Sequence, residues 1–398
     1  MFLDLIRRRN PKLVEQAIAL HQAGKLPANS YVIDLDAVEA NARIIAEAAR
    51  KHDLKVYAMT KQMGRNASFC RAAMRGGVGK AVAVDMECAR ATKRAGMGLG
   101  HLGHLVQVPR AEADAAAAMS PDFWTVFNIE KTGEAAAAAK KLGRDQALLA
   151  RIVAEGDRFY RGHEGGFSAA DVVAIADRFD ALDGAHFAGV TTFPALLFDP
   201  ATRKVAPTPN LATLERAAEA LAKAGRAKIE INTPGTTSSA VLRALAGAGA
   251  TQVEPGHGLT GTTPLHAVED LPERPAVVYL SEVSHLHGNE AFCFGGGLYI
   301  DPVFPAYQLR AVVSRAPTAA DAALAPVEIP APAAIDYYGM IDATGPVKPR
   351  VGDSVVFGFR PQAFVARAYV VGVAGLATGA PVVETVQDAF GRPADWPS

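Results

Sequence analysis

The sequence predicts an α/β fold, a closed (β/α)8 TIM barrel followed by a C-terminal all-β domain. The chain has 398 residues, more than one typical domain. From residue 30 onward, short apolar runs alternate with amphipathic helical stretches about eight times, as a barrel requires. Beyond residue 275 the pattern is strand-like and interrupted by Gly and Pro. We therefore predict an N-terminal helical segment at 1–28, a barrel at 29–272 and a β domain at 273–398.

The elements are predicted in chain order from these patterns. Asn10 and Pro11 begin a short helix with an apolar stripe, and Gly24 ends it. The segment YVIDLD, at 31–36, reads as the first strand. The barrel strands predicted after it are 56–60, 80–85, 104–108, 124–129, 147–156, 187–193, 228–233 and 250–256. The helices predicted among them are 38–52, 68–77, 86–96, 168–180, 211–224 and 238–247. The strand-like segments of the β domain are 276–286, 291–300, 307–316, 354–359 and 364–375.

Composition excludes several classes of protein. Lys and Arg number 41, as do Asp and Glu, so the chain lacks the basic excess of a nucleic-acid binder. The cysteines Cys70, Cys88 and Cys293 have no metal-ligand spacing, which argues against a zinc ribbon or a disulfide scaffold. No apolar run reaches the roughly 18 residues that span a bilayer, and the N-terminus lacks a secretory signal pattern. We expect a cytoplasmic protein with no nucleic-acid or membrane partner.

Polar residues follow three of the predicted barrel strands, where barrel active sites lie. Lys61 comes directly after strand 56–60, and a desolvated lysine there can form a Schiff base, although a surface lysine fits the pattern too. The segment INTPGTTSSAVL, at 231–242, leads from a strand into a helix. It offers either a plain helix cap or an anion cradle of backbone N–H groups and hydroxyls, from Thr236, Thr237, Ser238 and Ser239.

The segment VEPGHGLTGTTP, at 253–264, follows the last barrel strand. Gly256 and Gly258 permit close approach of a ligand, or form a turn that leaves the barrel. Barrels commonly build phosphate sites from the loops after strands seven and eight. An early strand-end lysine combined with a late phosphate cradle suggests pyridoxal phosphate as the cofactor.

The stretches 31–64 and GVGKAVAVDMECARATKRAG, at 77–96, resemble the opening of alanine-racemase-like, fold-type III pyridoxal phosphate enzymes. The resemblance implies that Lys61 holds the cofactor as an internal aldimine. SSAVL resembles the family's phosphate segment and would place Ser239 on the phosphate, where Gly256 and His257 also contribute. VGDSVVFGF, at 351–359, resembles a motif of the family's β domain. The family implies an amino-acid substrate and a homodimer whose active site is shared between subunits.

Glu254 departs from the racemase pattern, which usually has an arginine two residues before the phosphate-binding glycine. The sequence EPGHG instead resembles the Glu-Pro-Gly-Arg motif of the family's basic-amino-acid decarboxylases, where the glutamate pairs with the pyridine nitrogen. A carboxylate there favours the pyridinium, the stronger electron sink for a Cα carbanion. Glu254 thus predicts a well-stabilised quinonoid intermediate, whichever bond at Cα breaks.

Other family positions also differ. Arg65 stands in place of the usual tyrosine and would pair with the phosphate or lie on the surface. The family's second acid/base comes from the partner's β domain, and its tyrosine is missing. We predict Cys293 in that role, with Tyr299 and His287 as rivals and an inert buried cysteine as the alternative.

Three further residues are predicted to bind the substrate. Arg161 lies in GDRFYRGHEGG, near the family's mid-barrel arginine segment, where Arg158 is the other candidate. Either arginine would take a carboxylate or the O3′ of the cofactor, although a helix-cap or surface role fits each of them too. Tyr337 and Tyr338 align with residues that border the substrate carboxylate across the dimer interface, with core packing as their alternative.

The sequence therefore predicts a pyridoxal-phosphate-dependent amino-acid racemase or epimerase. The alternative is a lyase, either a decarboxylase or a D-amino-acid dehydratase or aldolase. The chain also resembles D-serine dehydratases and D-threonine aldolases, which use a β-domain metal; His285, His287 and Cys293 are the candidates here, but their spacing is weak and we predict no metal. A second alternative is a non-catalytic protein that binds pyridoxal phosphate, against which the β domain argues.

Overall fold

A computed structural model describes residues 1–396. Its helices, in chain order, are α1 (Phe2–Arg9), α2 (Pro11–Gln22), α3 (Leu35–Arg50), α4 (Ala67–Arg75), α5 (Met86–Arg94), α6 (Ala113–Ala118), α7 (Ile129–Lys141), α8 (Val172–Asp180), α9 (Pro209–Lys223) and α10 (Leu242–Gly247). Its strands are β1 (Ser30–Asp34), β2 (Lys55–Met59), β3 (Lys80–Ala83), β4 (Gly98–Leu102), β5 (Phe123–Val126), β6 (Gln146–Val153), β7 (Phe167–Ser168), β8 (Ala185–Thr191), β9 (Leu196–Asp199), β10 (Lys204–Pro207), β11 (Glu230–Asn232), β12 (Gln252–Val253), β13 (Val277–His287), β14 (Glu290–Phe294), β15 (Arg310–Ser314), β16 (Ala323–Glu328), β17 (Tyr338–Asp342), β18 (Ser354–Phe357), β19 (Tyr369–Ala374) and β20 (Val382–Gln387).

The first of two compact units is a closed barrel formed by residues 42–60 and 73–258. Eight parallel strands follow one another in the order β5-β4-β3-β2-β12-β11-β8-β6, and β6 pairs with β5 to close the ring. The strands are short and mostly apolar because their side chains are covered on both sides, as parallel sheets require. The predicted (β/α)8 barrel is confirmed.

One barrel strand lies earlier in the chain than predicted. The prediction at 104–108 is wrong, since the strand is β4 and the chain after it forms a bend at 104–106 and no strand at 107–108. The glycine-rich stretch before residue 104 had the composition of a turn. Gly100 is instead required within the strand, since a Cβ there would lie 2.3 Å from the ring of Tyr57 on β2. The shift places His101 on β4 and His104 directly after it.

The second unit is a β domain formed by residues 1–41, 61–72 and the chain from 259 onward. Its sheet has the strand order β14-β17-β16-β15-β18-β13-β1-β19-β20 and is antiparallel except where β1 runs parallel to β19. The predicted C-terminal β domain is therefore confirmed. The strand predicted at 31–36 forms, but it is fully buried within this sheet, between β13 and β19. The units thus differ from the predicted division at residues 28 and 272.

The N-terminal helices belong to the same β domain. The apolar stripe predicted for residues 1–28 covers one face of the sheet, because α1 and α2 together cannot bury it alone. The core comprises Leu3, Ile6, Leu13, Val14, Ala17, Ile18, Leu20 and Leu26 from the N-terminal segment with Val32, Val278, Leu280, Val312, Val356, Val371, Val373 and Leu376 from the sheet and its connections. None of the helices in residues 1–396 is both long and apolar enough to cross a membrane.

His21 on α2 gives this unit a pH-sensitive contact. Its Nδ1 lies 2.7 Å from Oγ of Ser354, and its Nε2 lies 3.2 Å from a carboxylate oxygen of Glu282. Burial lowers the pKa of His21, and this outweighs the opposing attraction of Glu282. The unfolded chain therefore takes up a proton near pH 6.5, before the folded protein does. The stability that neutral His21 provides is complete above that pH and is lost as the pH falls towards the lower folded pKa.

We expect His21→Gln to flatten the decrease in Tm between neutral pH and about pH 5, since the window begins at the unfolded histidine pKa. Thermal unfolding across this range measures the effect. His287→Gln is the matched control, because His287 is exposed in the same unit. Equal Tm slopes for the wild type and His21→Gln would contradict the prediction.

Candidate active site

A buried cluster of polar side chains lies inside the barrel, where β4, β11 and β12 end. The side chain of Glu254, directly after β12, is 1% exposed. Its Oε1 lies 2.5 Å from Nδ1 of His101 on β4 and accepts a 2.9 Å hydrogen bond from Nδ2 of Asn232, the last residue of β11. Nε2 of the same histidine lies 2.5 Å from Oγ1 of Thr125 on β5. Side chains from separate strands therefore hold one oxygen of this carboxylate.

These contacts keep Glu254 ionised. Burial alone would raise the pKa of this carboxyl, but the neighbouring His104 and His101 and the hydrogen bonds from His101 and Asn232 outweigh it, so the pKa is lowered. An ionised carboxylate only accepts hydrogen bonds, so Nδ1 of His101 carries the proton that it donates to Glu254. Nε2 of the same ring lies within hydrogen-bond distance of the Thr125 hydroxyl, so the ring is held between Thr125 and Glu254.

The second carboxylate oxygen is available to a ligand. Among residues 1–396, no group donates a hydrogen bond to Oε2 of Glu254. Nε2 of His104 lies 3.4 Å from it. A buried acceptor without a hydrogen bond is costly, and such atoms are common where a ligand supplies the missing donor. Oε2 can accept a proton-bearing ring nitrogen.

The same three side chains could also hold a metal ion. His101, His104 and Glu254 each offer a ligand atom, and these atoms lie within 4.8 Å of one another. Two donor atoms on a tetrahedral zinc, each about 2.0 Å from it, lie about 3.3 Å apart. The 2.5 Å between His101 Nδ1 and Glu254 Oε1 is instead the length of a charge-assisted hydrogen bond. The observed geometry therefore favours a proton between these atoms.

The two loops predicted as an anion cradle lie against each other in the barrel. A Cβ on Gly258, in the loop after β12, would lie 2.5 Å from the backbone oxygen of Thr237, in the loop after β11. Only glycine permits this close approach. Thr237 and Ser238 are buried. Thr236, Ser239 and His257 of the same two loops are partly buried, and Gly256 is partly exposed. The structure thus brings the two predicted loops together, and the phosphate-binding role of their residues stays a prediction.

Lys61 begins a short 3-10 helix at Lys61–Met63, directly after the segment that carries β2. Its side chain is partly buried, and Nζ lies 5.1 Å from the centroid of the Phe364 ring in the same compact unit. An aromatic face beside an amine excludes water, which favours the neutral amine, while its quadrupole favours the ammonium. Lys61 is thus partly withdrawn from water beside an aromatic face, and its role as the nucleophile stays a prediction.

Arg65 has partners within the β domain. It is 3% exposed, with a left-handed backbone at φ 57°. Its Nη1 donates a 2.9 Å hydrogen bond to the backbone oxygen of Ala389, and its guanidinium lies 5.6 Å from the Phe390 ring. These contacts engage part of the guanidinium within the β domain, and the predicted phosphate contact of Arg65 stays a prediction.

The structure disfavours Cys293 as an acid/base. Its side chain lies on β14 and is fully buried, and burial raises the pKa of the thiol to about 11 despite a hydrogen bond with Ser281. A thiol in that state stays protonated and unreactive at neutral pH. Tyr299 lies in the segment after β14, is partly buried, and lines a small cavity beside Phe2 and Phe359. The rival His287 is exposed at the end of β13.

The predicted substrate-binding residues are all at least partly exposed. Tyr337 and Tyr338 line a groove of about 610 Å³ in the β domain with Phe294, Met340 and Arg367. Tyr337 is 61% exposed, and Tyr338 packs its ring 6.0 Å from that of Phe294. The side chain of Arg161 is 97% exposed and pairs with Glu164 at 3.2 Å. It therefore does not lie in the barrel interior, because it follows β6 in an exposed loop.

The metal alternative based on His285, His287 and Cys293 finds no support among the described residues. His285 stacks its ring on Phe292 at 4.6 Å, and the group does not form a cluster of metal ligands within residues 1–396.

Sequence reasoning missed three residues of the barrel interior. His101 fell outside the predicted strands, and His104 was placed at the start of one, because β4 was predicted too late in the chain. Arg151 on β6 is 1% exposed, the largest fully buried side chain of the barrel. A charged residue within an apolar strand, as in ALLARIVAEG, was a signal that could have found it.

Comparisons with known proteins agree with this architecture. The family model described as "Alanine racemase, N-terminal domain" matches residues 33–264, and that described as "YhfX-like, C-terminal domain" matches residues 278–383. A protein of Escherichia coli (strain K12), "Uncharacterized protein YhfX", is 39% identical over 398 residues, which cover 98% of this chain and 99% of that protein.

Solved structures share the fold at low identity. D-threonine aldolase from Filomicrobium marinum has a TM-score of 0.67 at 17% identity, covering 93% of this chain and 96% of its own. D-threo-3-hydroxyaspartate dehydratase from Delftia sp. HT23 has a TM-score of 0.66 at 16% identity, covering 91% of this chain and 97% of its own. Alanine racemase from Clostridium difficile 630, in complex with cycloserine, has a TM-score of 0.60 at 14% identity, covering 92% and 99%.

The closed barrel, the β domain and a lysine directly after the first barrel strand, β2, define the class of fold-type III pyridoxal phosphate enzymes. The chain belongs to the alanine racemase family. Members of this family use pyridoxal 5′-phosphate, which is the cofactor here.

The residues of the barrel fit this group. Oε2 of Glu254 is a buried acceptor without a hydrogen bond, and a protonated pyridine nitrogen is a donor of the right kind. The loops after β11 and β12 offer backbone N–H groups and hydroxyls that suit a phosphate.

Proposed function

We propose that this chain is a pyridoxal-phosphate-dependent amino-acid racemase or epimerase that acts at Cα. The observation that carries the proposed chemistry at Cα is the ionised, buried Glu254 with one oxygen held by His101 and Asn232 and the other without a hydrogen bond. The choice of racemase over lyase rests on the resemblance to the racemases and is decided by the deuterium experiment below. We further propose a cytoplasmic homodimer with an active site shared between subunits, as the family commonly dimerises.

When bound, pyridoxal phosphate supplies an electron sink that stabilises negative charge at Cα of an amino acid. In the proposal, Lys61 holds the cofactor through its amine and moves a proton at Cα. Glu254 accepts a hydrogen bond from the ring nitrogen and keeps that nitrogen protonated. Ser239, Gly256 and His257 hold the phosphate, with the hydroxyls of Thr236, Thr237 and Ser238.

In this proposal His101 and Asn232 are positioning residues that fix the carboxylate of Glu254. Because both donate to Oε1, the carboxylate cannot rotate without losing two hydrogen bonds. Oε2 is thereby kept for the ligand. His101 is in turn fixed by Thr125, so its donor nitrogen stays directed at Glu254.

In this proposal the second acid/base comes from the β domain of the other subunit. With Cys293 buried and its thiol protonated, the rivals are Tyr299 and the exposed His287, and we propose Tyr299. A tyrosine suits the role, because its hydroxyl can donate and accept a proton.

Solvent-deuterium exchange tests the reaction. With two acid/base groups, we expect deuterium to enter Cα from either enantiomer of a substrate, because both faces of Cα exchange protons. Mass spectrometry of each amino acid, recovered after incubation in deuterium oxide, measures it. Enzyme treated with borohydride is the control.

The lyase alternative predicts a different product. Release of carbon dioxide, ammonia or an aldehyde, without deuterium in the recovered amino acid, would refute the racemase assignment and favour a decarboxylase, dehydratase or aldolase. Bound cofactor with neither exchange nor release for any amino acid would favour the non-catalytic alternative.

A further inference from the structure

Arg151 on β6 is a buried cation without an anionic partner. Its side chain is 1% exposed, and among residues 1–396 no Asp or Glu carboxylate pairs with it. Within residues 1–396, the side-chain hydrogen bond of this guanidinium runs from Nη2 to the backbone oxygen of His163. Its Nε is buried without a hydrogen-bond partner. Burial lowers the pKa of Arg151 to about 10. At neutral pH the guanidinium is therefore charged, and its buried Nε lacks a hydrogen bond.

The register of the barrel places this guanidinium in the same interior as Glu254. Arg151 pairs with Thr191 on β8, and Thr191 pairs with Asn232 on β11. Register partners on neighbouring parallel strands direct their side chains to the same face of the sheet. Thr191 donates a 2.7 Å hydrogen bond to Oδ1 of Asn232, whose amide contacts Glu254. Arg151 thus belongs to the inward-facing row of the barrel wall.

Two aromatic rings hold the guanidinium at the carboxyl end of its strand. The ring of Phe127, directly after β5, lies 4.6 Å from Cζ of Arg151, and that of Phe159 lies 5.7 Å away. Phe159 and His163 belong to the segment 154–166, which follows β6 and contains no helix or strand. The two rings orient the planar guanidinium, but they do not accept hydrogen bonds from the N–H groups that lie in its plane.

Such an arrangement is unfavourable unless an anion completes it. A buried charge that lacks hydrogen bonds is strongly destabilising, whereas a carboxylate matches the fork of an arginine with two parallel hydrogen bonds. An incoming carboxylate would replace only one contact, the hydrogen bond to the carbonyl of His163. A carboxylate is the stronger acceptor of the two, because it is charged.

We propose that Arg151 is the residue that binds the carboxylate of the amino-acid substrate inside the barrel. The identity of that carboxylate rests on the proposed function, whereas the anion site itself does not. Arg161, the residue expected from the sequence, is exposed and lies outside this row.

The test uses the full chain without cofactor and the probe propionate, with propionamide as its uncharged analogue at matched ionic strength. We expect propionate, but not propionamide, to raise the Tm of the wild type, and this rise to be absent in Arg151→Met. Without propionate, Arg151→Met should unfold at a higher temperature than the wild type, because an apolar side chain of similar length replaces an unpaired buried charge. Arg178→Met is the matched control, since Arg178 is exposed on α8 of the same unit.

Arg151→Lys covers the case in which the methionine variant does not fold. It retains the charge but lacks the fork, so propionate should bind it about tenfold more weakly. An equal response to propionate in the wild type and either variant overturns the proposal. A decrease in Tm for a folded Arg151→Met, with the propionate response retained, would assign the arginine to packing against its two rings.

Two further measurements separate this proposal from the proposed function. The affinity of Arg151→Met for pyridoxal phosphate should equal that of the wild type; a large loss would assign Arg151 to the phenolate oxygen of the cofactor and overturn the substrate assignment. The propionate response should persist in Lys61→Ala. A chain that binds propionate through Arg151 but never attaches the cofactor would refute the proposed function and leave the anion site intact.

Discussion

Replacing Lys61 with alanine is expected to abolish covalent attachment of pyridoxal phosphate and to reduce turnover by roughly 10³-fold or more, within the range for loss of a positioned acid/base. The physical reason is that one amine performs two tasks in the proposed function, holding the cofactor and moving the proton at Cα. Lys61 is partly buried beside the Phe364 ring, which is consistent with a reactive rather than a solvated amine. Borohydride reduction followed by peptide mass mapping measures the attachment, and amino-acid turnover measures the second effect.

Lys25→Ala is the matched control, because Lys25 is an exposed lysine of the same compact unit. It should retain both attachment and turnover. An added small amine should partly restore turnover to Lys61→Ala, since it supplies the missing proton acceptor but cannot position the cofactor. Recovery of the reduced cofactor on another lysine would contradict the assignment.

The fold could be predicted largely because it repeats. Each barrel strand is short and apolar and most precede an amphipathic helix, so alternation along the chain carries the information. The strand at 104–108 was misplaced because Gly98 and Gly100 gave β4 the composition of a turn. β1 was assigned to the barrel since its local pattern fits either sheet, and its actual neighbours, β13 and β19, are more than 200 residues away in the sequence.

The residues of the candidate site could be predicted only where they lie next to the end of a predicted strand or helix. Lys61 and the loops after β11 and β12 were found in this way. The partners of Glu254 were not, since His101 meets it only when the barrel closes, 153 positions apart in the chain. Likewise, neither the burial of Cys293 nor the exposure of Arg161 follows from local sequence. Burial depends on the packing of distant segments, which periodicity does not report.

Replacing Glu254 with glutamine is expected to lower kcat by roughly 10²- to 10⁴-fold, the usual contribution of a group that controls a proton in the reaction. Glutamine has the same shape but no charge, so it cannot hold the ring nitrogen protonated. Binding of pyridoxal phosphate should be weakened far less, because Lys61 and the phosphate loops are unchanged. Steady-state kinetics and a cofactor titration measure the two effects. Equal kcat values for the wild type and Glu254→Gln would contradict the role of this carboxylate.

The variant His101→Gln tests the role of Glu254 indirectly, because His101 positions this carboxylate. In the folded protein the pKa of Glu254 is lowered because the two histidines and the hydrogen bonds outweigh burial. Without the His101 ring, burial counts for more, so the pKa should rise and the carboxylate should lose its charge at a higher pH. We therefore expect the acidic limb of the kcat–pH profile to move to higher pH in this variant, with activity recovering as the pH is raised. His186→Gln, on the exposed surface of the barrel where it pairs with Asp145, should leave the profile unchanged. A uniform loss of activity at every pH would indicate a structural role for His101. If the wild type contained one zinc ion per chain and His101→Gln contained none, a metal and not a hydrogen bond would join His101 to Glu254.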